Sequence, residues 1–157
     1  PDGMVHNSFE LRRDIARIIR IEKPDVVITQ SPIRNFDSTY GSHPDHIETG
    51  EATLRAVYPD ARNPRAYTAE LLDQGYAPHA VPEVWVVLST DPDLFIDTTD
   101  VFDKKLAALR KHASQVAKRD EEFDLSKLLR DWGERIAGEA GMPEGRLAEA
   151  YRVLNTA

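Results

Sequence analysis

Apolar positions along this chain change period several times, and each change marks an element. After Asn7 the spacing is helical: Leu11, Ile15, Ile18 and Ile19 share a stripe, with Arg12, Arg13, Arg17 and Arg20 mostly outside it. Asn7 and Glu10 stand at capping-box spacing, so the helix is expected to start at Asn7. Lys23-Pro24 ends it, because the residue before a proline is pushed away from helical geometry. Residues 25–30 (DVVITQ) are short, continuous and β-branched, the pattern of a buried parallel strand. A polar loop over 31–42 then leads into His43-Pro44-Asp45-His46. Proline suits the first position of a helix, so a second helix is expected from Pro44 to about Tyr58, stopped by Pro59.

Downstream, Asn63-Pro64 opens a short helix through Leu71 and Leu72 that Gly75 ends, and 76–82 reads as a connector. A second buried strand covers 83–88, a turn covers 89–93, and Leu94–Asp97 is a short strand. Thr99 or Asp100 caps a helix with Val101, Phe102, Leu106 and Leu109 inward, and His112, Ser114 and Gln115 lie toward its end. Residues 118–124 are strongly charged and expected on the surface. A helix over about 125–139 turns Leu125, Leu128, Leu129, Trp132 and Ile136 inward, and 147–154 fits either a last strand or a short helix. Strand, loop and helix in this order predict an α/β fold: a Rossmann-like, mostly parallel sheet flanked by helices, as a single domain over 1–157.

Composition narrows the function classes. The net charge of −7 argues against a basic nucleic-acid footprint. No cysteine is present, which removes disulfides, thiolate metal sites and thiol nucleophiles. No apolar run approaches the roughly 18 residues of a membrane span and no signal peptide is visible, so no membrane partner and a cytoplasmic location are expected. Gly-x-Gly-x-x-Gly, phosphate-loop and Gly-x-Ser-x-Gly patterns are absent, which leaves nucleotide binding and serine hydrolysis without support. The chain opens at Pro1 without methionine, and an origin as the C-terminal part of a longer protein is expected.

The candidate chemistry is concentrated at the start of the second helix. At about 100° per residue, His43, His46, Ile47, Gly50, Leu54 and Val57 share one broad face, with both imidazoles at its entry end. Imidazole suits zinc, and a catalytic zinc keeps three protein ligands and one open position. A capping and a solvent-facing histidine is the alternative reading, and Asp45 can simply be a first-turn carboxylate favoured by the helix dipole. Gly50 costs roughly 0.8–1 kcal/mol relative to alanine inside a helix, which points to close packing or close ligand approach. Tyr40 and Ser42 can donate to an oxyanion or merely lie on the surface. Asp97 can orient a histidine or cap the next helix, and His112 with Gln115 can face a polar site or close a helix end. His6 and His79 read as surface residues.

Several stretches in order resemble the PIG-L (LmbE-like) family of zinc-dependent N-deacetylases and amidases: Pro1-Asp2-Gly3, the run from Lys23 through Thr29, His43-Pro44-Asp45-His46 with Gly50, the run from Lys105 through Gln115, and Leu147-Ala148-Glu149-Ala150-Tyr151. The resemblance implies a zinc cofactor with His46 as a ligand, and a catalytic group of His43 and Asp45 in which His43 steadies the oxyanion or protonates the leaving amine. It implies substrate contacts from Asp2, Tyr40, Ser42 and His112, Gln115 in support, and a small-molecule amino-sugar conjugate as substrate. In some relatives an oxyanion-binding tyrosine lies two residues before the first histidine, where this chain has Ser42. The family's Ala-His-Pro-Asp-Asp segment, source of the other zinc ligands and the general base, is not in this sequence. The sheet is therefore expected to lack N-terminal strands, the missing segment becomes a required partner, and these 157 residues alone are expected to be inactive. A non-catalytic sugar-binding or interaction module of the same fold, or a small metal-free α/β domain, is the alternative.

Overall fold

The computed structural model describes residues 2–37, 39–116 and 124–156, Tyr40 by its backbone alone. The chain divides into two compact units: one runs to Pro92 and resumes at Tyr151, the other is Asp93–Ala150. The sheet has four strands in the order β1-β2-β4-β3, formed by β1 (Val26–Gln30), β2 (Glu83–Val87), β3 (Leu94–Asp97) and β4 (Ala148–Asn155). It is mixed: β1 and β2 are parallel, Val26 opposite Glu83 and Gln30 opposite Val87, while β4 runs antiparallel to β2. The ambiguous segment after Leu147 is thus a strand. Among the described residues β1 is an edge strand, and Ile28 at its centre is exposed. Among those residues no helix is long and apolar enough to cross a membrane.

In the first unit, α1 (Phe9–Glu22) is capped by Ser8, whose hydroxyl accepts the Leu11 N–H, rather than by Asn7. The Asn7 side-chain oxygen bonds nothing among the described residues, and its N–H is donated to Glu48. Lys23 ends the helix in the left-handed region at φ 48°, and its N–H closes on the Ile19 carbonyl. The buried face is rotated from the expected stripe. Ala16, Ile19 and Arg20 are buried, whereas Ile18 is 61% exposed.

The reason for that rotation is polar. Arg12, Ala16 and Arg20, four apart, face the segment after α2 (Pro44–Arg55). Arg20, expected outside, is 2% exposed and donates to the carbonyls of Asp60, Ala61, Asn63, Ala66 and Tyr76. Burial pushes its guanidinium down from the ordinary arginine value, with Asp60 opposing. Arg12 forms a two-bonded pair with buried Asp60 at 2.9 and 2.8 Å, which raises the Arg12 value. The same region holds Ala56–Ala61, two helical pieces joined across a kink, and the π-helical turn Thr68–Leu72, where a short helix was expected. The second helix breaks where Pro59 was expected to stop it: Tyr58, preceding the proline, takes extended dihedrals (φ −138°, ψ 116°), and the helical turn resumes only beyond that kink. Ala16, Ile19, Ala56, Val57, Ala61, Leu71, Val81, Val84 and Val86 form the core of this unit. His79 is only half-buried, with its ring against the Pro24 carbonyl at 2.9 Å.

In the second unit, β3 is followed by a 3-10 turn (Thr99–Val101), α3 (Phe102–Arg110) and α4 (Leu125–Glu139). Asp97 accepts both the N–H and the hydroxyl of Thr99, and the Thr99 hydroxyl hydrogen bond holds its carboxyl below the ordinary value. Asp97 thus closes a local turn onto Thr99, while the N-caps of the 3-10 turn and of α3 are Thr98 and Val101, neither with a side-chain cap bond. Phe102, Leu106, Val116, Leu125 and Leu147 make the core here. Of the stripe expected on α4, Leu128 and Trp132 are exposed instead, and Gly133 and Ala137 are buried. At Gly133 a Cβ would stand 3.2 Å from the Leu147 Cβ, so the helix turns its small-residue edge to the core and its bulky flank outward. The charged run 118–124 lies, apart from Asp124, outside the described residues; Asp124 caps α4 through the Lys127 N–H.

Replacing Arg20 by alanine should destabilise the protein by about 3 kcal/mol, because several buried carbonyls lose their donor at once. Urea unfolding of the variant measures it, and a loss within error of zero would show those carbonyls rehydrated.

Candidate metal and catalytic site

The site is built on the first turns of α2. At Gly50 a Cβ would stand 2.4 Å from the Gln30 carbonyl oxygen and 3.0 Å from the Pro32 nitrogen. The helix therefore lies directly against the carboxyl end of β1, and of the two readings of Gly50 the close packing is found. His46 lies one turn earlier on the same face, and His43 nearly one turn before that. With a rise of about 1.5 Å per residue they stand some 6 and 10 Å beyond Gly50 along the axis, past the end of the strand.

His43 is the N-cap of α2, and its Nδ1 accepts the Asp45 N–H at 3.2 Å. A ring nitrogen that accepts carries no proton, so the ring N–H of this tautomer is at Nε2. Nε2 lies 3.5 Å from Oδ1 of Asp2, whose side chain is 92% exposed. One ligand atom each from Asp2, His43 and Asp45 come within 4.8 Å of one another, the kind of grouping that can hold a cation. The His46 ring lies 5.5 Å from that of His43, tilted by 50°. His46 Nδ1 is buried and has no hydrogen-bond partner among the described residues.

Asp45, expected in the catalytic group, uses its two oxygens on backbone: Oδ2 accepts the Gly3 N–H and Oδ1 the Val5 N–H, each at 2.9 Å. The Val5 bond above all, with Gly3 and His43, holds the Asp45 carboxyl below its ordinary value. Further along the same segment, Glu48 accepts the Asn7 N–H at 2.7 Å. Periodicity singles out neither Gly3, Val5 and Asn7 nor Glu48, although Asp45 and Glu48 at i, i+3 do share a helix face. Ser42 is buried; its hydroxyl accepts the Asn35 N–H at 2.8 Å and donates to the Asn35 carbonyl at 3.1 Å, closing the loop before the helix. Tyr40 begins the 3-10 turn Tyr40–Ser42. His112 and Gln115 belong to the second unit, where both are exposed and the His112 carbonyl accepts the Gln115 and Val116 N–H groups. The geometry thus brings Asp2, His43, Asp45 and His46 together at the helix entry.

No family model matches the chain. It is 34% identical over 106 residues to the diacetylchitobiose deacetylase of Thermococcus kodakarensis, covering 68% of this chain and 38% of that one. It is 35% identical over 138 residues to a 1D-myo-inositol 2-acetamido-2-deoxy-alpha-D-glucopyranoside deacetylase of Saccharopolyspora erythraea, covering 73% and 46%. Among solved structures, the N,N'-diacetylchitobiose deacetylase from Pyrococcus horikoshii superposes with a TM-score of 0.79 at 27% identity, over 99% of this chain and 55% of that one. The chain spans less than half the length of both curated relatives.

Replacing Gly50 by alanine sets a methyl against backbone atoms that cannot rotate away, and should cost about 2 kcal/mol or more. Chemical denaturation is the measurement; a variant of native stability would mean that α2 moves off β1 freely.

Proposed function

The chain belongs to the PIG-L (LmbE-like) family of deacetylases, and on that footing we propose that the protein works in the metal-assisted hydrolysis of an N-acyl group, acetyl in the simplest case, on an amino-sugar compound. The observation that carries this reading is the buried Nδ1 of His46, without a partner among the described residues, beside the His43–Asp2 pair. A buried polar nitrogen normally has a partner, so one left open at a ligand-rich helix entry fits a metal. Zinc suits it because imidazole and carboxylate are its ordinary nitrogen and oxygen donors.

In this reading His46 holds the metal, and the other ligands come from the part of a family-length protein outside this chain. Zinc, when bound, supplies an acidified water and a Lewis acid for the carbonyl. The chain's own residues do the rest. His43 presents Nε2–H, its tautomer held by the Asp45 N–H, and this donor stabilises negative charge developing on the amide oxygen. Asp2 orients that ring at rest and offers a carboxylate to sugar hydroxyls. Asp45 keeps the Asp2 segment in place while it presents its N–H to His43. Ser42 holds the loop ahead of α2 through Asn35, and Tyr40 is assigned as a substrate contact by the family resemblance alone. One imidazole does not retain a catalytic zinc, so the 157 residues alone are inactive in this reading.

In a family-length protein, His46→Ala should abolish zinc retention, measured by metal analysis after dialysis. His43→Ala should leave zinc bound and slow turnover of an N-acetylglucosaminyl substrate by about 10²–10⁴-fold. Zinc kept without His46 would reject the ligand assignment, and unchanged turnover without His43 would reject the oxyanion role.

A further inference from the structure

We propose that Glu48 is a positioning residue for this site, acting through the backbone of residues 3–7. The inference rests on the reading of Asp2 and His43 as working residues. The N–H groups of Gly3, Val5 and Asn7, every second residue between the left-handed Gly3 (φ 75°) and the turn that Ser8 closes on the His6 carbonyl, are all turned to one helix. All three are received by carboxylates of α2: Gly3 and Val5 by Asp45, Asn7 by Glu48. Residues 45 and 48 are neighbours on one helix face, so the three amides meet two carboxylates in a single register. Glu48 makes the shortest of the three bonds, 2.7 Å, at the end of the segment where α1 begins.

Asp2 has little to hold it otherwise: its side chain is almost fully exposed, and its contact with His43 is 3.5 Å. Its carboxylate reaches His43 because the backbone behind it is fixed. Asp45 alone fixes two points only two residues apart. Glu48 adds a third, two residues further on, and so sets the direction of the segment. Hydrogen bonds from N–H to an ionised carboxylate are about twice as strong as neutral ones, which makes this a firm anchor at a helix start.

Amide exchange followed by NMR in the 157-residue protein tests the proposal with Glu48→Ala and Glu48→Gln. Glutamine keeps an oxygen that accepts the Asn7 N–H. In E48A the Asn7 and Val5 amides should exchange about tenfold faster, while amides of α2 and β1 keep their rates. The His43 ring signals should move with them. E48Q should restore both to near the parent values. Unchanged Asn7 exchange in E48A overturns the proposal, as does a loosened segment with unmoved His43 signals. Equal loosening of α2 and β1 also overturns it, since Glu48 would then serve the helix and not the segment. Failure of the deacetylase reading is separately visible as a family-length protein that retains no zinc, an outcome that leaves these exchange rates untouched.

Discussion

The seat of α2 on β1 sets the position of every candidate residue that the helix carries. At Gly50 the helix meets the Gln30 carbonyl so closely that no side chain fits between them. The helix accepts the weak helical propensity of glycine there, roughly 0.8–1 kcal/mol, in exchange for direct contact with the strand end. Because the first two turns of α2 lie beyond that contact, the contact fixes their height above the sheet. His43, Asp45, His46 and Glu48 are all placed by those turns, so their common arrangement depends on one missing methyl group.

Electrostatics then organises the entry end. Four backbone N–H groups at the start of a helix lack internal partners, and negative charge is favoured nearby. Here one of those donors goes to the His43 ring, and the carboxylates at 45 and 48 collect amides from a different part of the chain. Order at the site therefore arises from backbone donors and side-chain acceptors already in this sequence. The same unit uses the opposite arrangement at Arg20, where a buried cation gathers carbonyls from the turns after α2. Both devices hold irregular backbone that apolar packing alone leaves free.

The regular elements were legible in the sequence because they obey local rules. Pro44 marks the start of α2, and β-branched runs mark β1 and β2. The shared face of His43, His46 and Gly50 also comes from helical spacing. The features that were not legible depend on partners far along the chain. Asn7 looks like a cap, but Ser8 caps α1 and the Asn7 N–H is donated to Glu48, 41 residues away. Arg20 looks like a surface residue until the turns of 56–76 supply carbonyls to it. Leu128 and Trp132 look buried until Gly133 lets α4 close on Leu147 along another edge. Asp45 looks free for chemistry until two distant amides occupy it.

The margin of the sheet has a practical side. Among the described residues β1 is the edge strand, with the sequence Val26-Val27-Ile28-Thr29-Gln30, and it carries Ile28 in the open. Edges of soluble sheets are usually blunted by lysine, proline or a bulge, and this strand has neither lysine nor proline. Among the described residues its outward row of peptide groups is open, a template on which a further strand, of a longer protein or of a neighbouring molecule, can pair.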